Sequence, residues 1–182
     1  MKTKRYNFYK SCQMNLACSY DNEFRPSLCW VYFKNGFAYA SNGYILVKNR
    51  ISECSNLNQE DIDALDGKLL HRDSYKDILK YDTISISENG IECKKCGNTA
   101  FLYFGNDDLK YPDVEKVIQE NLNKKTVQIS EIRFRMEYFD ILKKSLYNLD
   151  RCKAVFKGEF DAIVFYSIED EVSSIGLIMQ IN

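Results

Sequence analysis

Asn35-Gly36 sits between two short runs of β-branched and aromatic residues, Cys29-Trp30-Val31-Tyr32-Phe33-Lys34 before it and Phe37-Ala38-Tyr39-Ala40 after it. Asn-Gly readily takes the positive φ angles of a two-residue hairpin, so the chain is expected to fold back on itself here. Asn42-Gly43 then leads into Tyr44-Ile45-Leu46-Val47, which predicts a third strand and a meander. The arrangement returns twice. Thr83-Ile84-Ser85-Ile86-Ser87, a turn at Asn89-Gly90, Ile91-Glu92-Cys93 and Thr99-Ala100-Phe101-Leu102-Tyr103-Phe104 make the second set. Ala154-Val155-Phe156-Lys157, a turn near Gly158, Ala162-Ile163-Val164-Phe165-Tyr166 and Gly176-Leu177-Ile178-Met179-Gln180-Ile181 make the third. Alternation of side chains along such runs marks strands that bury one face.

Each set follows a stretch with helical spacing. Asn7 to Cys18 places Phe8, Cys12 and Leu16 on one helical face. Ser74-Tyr75-Lys76-Asp77 has the Ser-x-x-Asp form of a helix start, with Ile78 and Leu79 behind it. Met136 to Asn148 puts Tyr138, Leu142, Ser145 and Leu146 on one face. The expected fold class is therefore α+β, built from repeats of one helix plus a β-meander with mostly antiparallel sheet. A chain of 182 residues that is 45% apolar and 14% aromatic buries a core without staples.

Charge excludes some partners. Twenty-five basic residues face 26 acidic ones, so no global field drives the chain onto nucleic acid or an anionic membrane, and any basic surface is local. No apolar run approaches the roughly 18 residues of a membrane span, and no N-terminal targeting pattern is evident, so no membrane partner is expected. Seven scattered cysteines fit reduced thiols, and the expected compartment is cytoplasmic.

Arg25-Pro26-Ser27-Leu28 and the meander that follows, through Val47, resemble the β sliding clamp family of DNA polymerase III. Asn35, Ser41 and Asn42 stand where the family pattern has Asp, Thr and Asp. Tyr111-Pro112-Asp113-Val114-Glu115-Lys116-Val117-Ile118 is similar to the family's connection after its second meander, and Gly176 to Ile181 to its C-terminal strand, with Gln180 in place of a proline. The resemblance implies a DNA-clamp-like fold whose helices line a hole and whose sheets form the outside. Residues 1–120 would then be one clamp-like domain of two helix-plus-meander units, and 121–182 a third unit belonging to a second domain. It also implies a non-catalytic, replication-associated protein, with a homo-oligomer among its expected states.

Three motifs compete with that reading. His71-Arg72-Asp73 spells a kinase catalytic-loop triplet, but Ile78 falls where the metal-binding Asn is needed and no glycine-rich phosphate loop precedes it. With one histidine and no nucleophile elbow, nucleophilic catalysis is not expected, and His71 fits a strand end or sheet edge. Asp61, Asp63 and Asp66 have the chemistry to hold Mg²⁺, yet their setting reads as a solvated loop. Cys93-Lys94-Lys95-Cys96-Gly97 has the form of a zinc knuckle, for which Cys12 and Cys18 are the candidate further ligands. The plainer reading is a hairpin turn with one inward and one outward cysteine, and no metal or cofactor is expected. A zinc-knuckle nucleic-acid binder and a clamp-derived interaction module that binds no DNA remain the alternatives.

Lysines and arginines surround the predicted helices. Lys10 belongs to the first, Lys68, Arg72, Lys76 and Lys80 to the second, and Lys143 and Lys144 to the third, where Glu137 and Asp140 offset them. Ordinary surface lysine explains such a distribution on most proteins. Under the clamp resemblance these residues become the DNA-contacting set, gripping double-stranded DNA weakly through its phosphates without sequence readout. The resemblance further implies a pocket for short peptide motifs of replication-type proteins at Leu177, Met179 and Ile181, though the alternate residues of a last strand equally serve to fill a core.

Overall fold

The turns set the register. Asn35 and Gly36 take φ angles of 50° and 75°, the two positive values of a tight hairpin, and Cys96 and Gly97 repeat this at 47° and 84°. In the computed structural model, which describes residues 5–106, 108–128, 131–147, 151–158, 161–168 and 173–180, the alternating runs form ten strands. They are β1 (Trp30–Lys34), β2 (Phe37–Ser41), β3 (Ile45–Arg50), β4 (Leu69–His71), β5 (Thr83–Ile86), β6 (Gly90–Lys95), β7 (Asn98–Tyr103), β8 (Cys152–Phe156), β9 (Ile163–Ser167) and β10 (Ser174–Ile178). All three expected meanders are present, as β1-β2-β3, β5-β6-β7 and β8-β9-β10.

The first and third meanders join into one antiparallel sheet of order β4-β1-β2-β3-β10-β9-β8, closed at the centre by Val47 opposite Gly176 and Leu46 opposite Leu177. Strands after residue 121 thus continue a sheet begun before residue 120. The second meander is a separate three-stranded sheet, β5-β6-β7.

Five α-helices accompany the strands: α1 (Ile51–Cys54), α2 (Gln59–Ala64), α3 (Arg72–Ile78), α4 (Val114–Asn123) and α5 (Met136–Ser145). Helices α3 and α5 precede the second and third meanders as expected. Tyr75 and Ile78 of α3 are fully buried, as are Leu142 and Ser145 of α5, with Tyr138 and Leu146 nearly so. Each such apolar side chain contributes roughly 1.5–3 kcal/mol, which is what fixes these short helices. Gly176 admits α5 closely, because a Cβ there would lie 2.4 Å from Leu142 Cδ1.

Two expectations are corrected. Asn7 to Cys18 is not an α-helix but an irregular segment with one 3₁₀ turn, Met14–Leu16. Its backbone groups find partners in other elements: the Tyr9 amide donates to Cys54 O at 2.8 Å and the Gln13 amide to Lys144 O at 2.9 Å. Phe8, Cys12, Met14, Asn15, Ala17 and Cys18 are all buried, so the segment is enclosed rather than one-sided. The Asp61-Ile62-Asp63 stretch is helix α2 rather than loop, because Asn58 caps it, its side-chain oxygen accepting from the Asp61 amide at 2.8 Å.

The large sheet has two covered faces. Ala38, Ala40, Ile45, Val47, Phe165 and Ile178 face a core shared with α3, α5 and the segment from Phe8 to Cys18. Tyr39, Leu46, Val164, Tyr166, Ile175 and Leu177 face the other way and are packed with Val114 and Ile118 of α4. Among the described residues no helix is long and apolar enough to cross a membrane.

Candidate nucleic-acid interface

The enclosed segment before Ser19 lies between α3 and α5. Tyr75 of α3 donates its hydroxyl to Cys12 O at 3.3 Å, and Ser145 of α5 donates its hydroxyl to Gln13 O at 3.1 Å while its own carbonyl accepts from Asn49 Nδ2 at 2.8 Å. These contacts hold Lys10, α3 and α5 along one side of the large sheet. Lys10, Lys76, Lys143 and Lys144 are exposed there, and among the described residues none has a carboxylate at ion-pair distance.

The other basic positions are differently placed. Lys80 lies just past α3 and pairs with Asp77 at 2.5 Å, an engagement that raises its pKa and occupies its charge. Arg72 is largely buried; its guanidinium stacks on Tyr20 at 4.8 Å and its Nε lies 3.7 Å from Asp73. Lys68 stands at the opposite end of β4 from Arg72, with its ammonium 5.7 Å from the Phe104 ring centre. On α5, Glu137 is engaged by Arg135 at 3.4 Å.

The C-terminal positions separate. Leu177 is 2% exposed and fills the core on the α4 side, Met179 is 39% exposed, and Ile181 lies outside the described residues.

Among the described residues no three His, Cys, Asp or Glu side chains gather to hold a metal ion. Cys93 points into the core, where burial pushes its thiol up to about 11, and Cys96 is exposed at the hairpin turn. His71 ends β4 at the sheet edge. Its ring meets Trp30 edge-on at 5.1 Å, its Nδ1 accepts from the Asp73 amide at 3.4 Å, and the Asp73 carboxylate lies 3.6 Å from the same nitrogen. Asp61 accepts from the Tyr6 hydroxyl and Asp66 from Lys34, which places both acids in structural contacts.

Sequence reasoning missed α4 altogether. Its signal is present: Asp113 is an N-cap whose Oδ1 accepts from the Lys116 amide at 3.1 Å, followed by Val114, Ile118 and Leu122 at helical spacing.

The same architecture occurs in solved structures. Over its whole length the chain superposes on the DNA polymerase sliding clamp of Bacillus subtilis with a TM-score of 0.65, at 12% identity and covering 65% of that chain. The fold is that of a sliding clamp. A DnaN sliding clamp, the DNA polymerase III β subunit, from Bartonella birtlesii bound to griselimycin gives 0.66 at 13% identity and 68% of its chain. The Helicobacter pylori β clamp in complex with 3,4-difluorobenzamide gives 0.62 at 11% identity, with 97% of this chain and 65% of that one covered. The chain thus spans about two thirds of the clamp chains it matches. No protein-family model and no curated protein matches its sequence. In this clamp fold, the exposed lysines fall on the side that carries α3 and α5.

Proposed function

We propose that the protein is a non-catalytic, clamp-like, replication-associated factor that contacts double-stranded DNA through its helical side. What supports this reading is that Lys10, Lys76, Lys143 and Lys144 are all exposed and belong to α3, α5 and the segment packed between them, the elements on one side of the sheet in a clamp fold. Four mobile ammonium groups beside phosphates release counterions and so bind, but they present no planar fork for base edges. Binding is therefore weak and indifferent to sequence. Lys68, Arg72 and Lys80 contribute less, since each is already engaged by a ring or a carboxylate. Replication-type proteins carrying short peptide motifs are the second class of partner. Met179, the exposed member of its trio among the described residues, is their point of contact, because a flexible thioether adapts to varied apolar side chains.

Two duplexes of equal length and unrelated sequence, competed against each other at low salt, test the DNA reading. Equal affinities are expected. A strong preference for one would contradict sequence-independent contact, and no binding to either would leave a clamp-derived interaction module as the better account. The solution mass measured alongside distinguishes a ring-sized oligomer, which encircles DNA, from a monomer that lies against it.

A further inference from the structure

The first two helix-plus-meander units cap each other. Strand β4, which leads into α3 of the second unit, pairs with β1 of the first, Trp30 opposite His71 and Val31 opposite Leu70. In return Tyr6, ahead of the buried segment of the first unit, bridges to Thr83 of β5 in the second. Its amide donates to Asp82 O at 2.7 Å and its carbonyl accepts from the Ile84 amide at 2.9 Å. The leading segment of each unit thus lies along the outer edge of the other's first meander strand.

The third unit has both halves of this exchange and a mate for neither. Residues 131–135, directly before α5, stand where β4 stands before α3. Glu131, Arg133 and Arg135 are exposed while Ile132 and Phe134 are half-buried against the core, which is the alternation of a strand. Yet among the described residues the only backbone partner of this stretch is the Tyr138 amide on Arg135 O, at the entry into α5.

The unit's first meander strand, β8, ends the seven-stranded sheet. The Ile168 amide donates to Arg151 O at 3.3 Å, which sets the alternation, so Cys152, Ala154 and Phe156 turn their amides and carbonyls away from β9. Of these outward groups only Phe156 O has a partner among the described residues, the Val127 amide at 3.0 Å. The strand at the other end of the sheet, β4, is closed by Gly105, whose amide donates to Leu69 O at 2.8 Å. Two exposed apolar side chains, Val127 at 38% and Met136 at 67%, adjoin the open stretches of the third unit.

We propose that a second copy of this chain completes the third unit: residues 131–135 of each copy lie along β8 of the other about a two-fold axis, as the first two units cap each other within one chain. The occupant follows from the internal template, because an open leading segment and an open edge on the same unit, each fitting the other, are what a self-complementary contact requires. Water is a poor final partner for that edge, since a row of free backbone groups templates pairing with another chain. Such a contact closes at two copies and requires neither DNA nor a role for Met179.

Sedimentation equilibrium of the full chain at rising concentration tests it. The mass should approach twice 21.3 kDa. Ala154→Pro removes an outward amide and leaves every bond to β9, so it should weaken association at least about tenfold in a folded protein. Hydrogen exchange on the wild type decides where that variant does not fold. The Cys152 and Ala154 amides and alternate amides of residues 131–135 should slow at least about tenfold from dilute to concentrated protein. Those of β7, the end strand of the smaller sheet, should not change. A monomer's mass up to about 1 mM, a dimer that persists in folded Ala154→Pro, or protection arising at β7 instead would overturn the proposal.

Discussion

Gly176 faces α5 with no room for a side chain, since a Cβ would meet Leu142 at 2.4 Å and Leu146 at 2.7 Å. Gly176→Ala should therefore cost about 1–3 kcal/mol in urea unfolding by forcing α5 off the sheet, and a loss below about 0.5 kcal/mol would show that the helix shifts freely. Asp66 offers a pH test. Burial opposes its charge, but the Asn35 amide at 2.6 Å and the Lys34 ammonium at 3.0 Å outweigh that and hold its carboxyl below the usual range. A depressed carboxyl stabilises the fold above its unfolded pKa, about 3.9, and that contribution fades as pH falls through the lower folded value. Wild type should accordingly exceed Asp66→Asn in stability at neutral pH and lose that advantage as the pH falls below the usual carboxylate range. A gap that does not change with pH would assign Asp66 no role in the turn. At this scale the sequence was legible where backbone chemistry is local: Asn35-Gly36 takes the expected positive φ angles. Asn89-Gly90 looks identical in sequence yet differs, for Gly90 has no positive φ and instead presses against Leu102 O, where a Cβ would lie at 2.3 Å.

Strand β1 and α5 could be read from periodicity because each buries one face, and β3, β9 and β10, buried on both faces, from apolar runs beside turn residues; the burial of Tyr138, Leu142, Ser145 and Leu146 follows the expected stripe. The segment from Asn7 to Cys18 could not, because helical spacing of Phe8, Cys12 and Leu16 says nothing of backbone partners in distant elements. Asn7, fully buried, donates through Nδ2 to Ile78 O at 2.6 Å and Tyr81 O at 3.1 Å, and its Oδ1 accepts from the Phe8 amide at 2.7 Å. Such tertiary bonds overrode local propensity. Asn7→Ala should cost about 2–4 kcal/mol by stranding those groups, whereas Ser11→Ala, which raises helix propensity at an exposed position, should change stability by less than about 0.5 kcal/mol. Equal effects in thermal or urea unfolding would mean that the segment is held otherwise. Helices α2 and α4 were legible in principle from their caps, Asn58 and Asp113, but both were obscured by stronger-looking features, an acidic run and a connection motif.

At the scale of the whole molecule, the first and third meanders meet at β3 and β10, which puts the α3 side and the α4 side on opposite faces of one sheet. Near-zero net charge concealed the local surface: 25 basic and 26 acidic residues cancel globally while four lysines remain unpaired among the described residues of the helical side. Sequence could name those lysines but not sort them, because pairing of Lys80 with Asp77 and stacking of Arg72 on Tyr20 depend on the fold. Clamp-like contact with DNA is most directly tested by the salt dependence of affinity for random-sequence duplex, comparing wild type with Lys76→Ala/Lys143→Ala/Lys144→Ala and with Lys80→Ala alone. Each ammonium that neutralises a phosphate contributes about one unit to the slope of log affinity against log salt. The triple variant should flatten that slope by about two to three units and Lys80→Ala by less than about one, while an unchanged slope in the triple variant, or no binding at low salt, would contradict a DNA-holding role for the helical side.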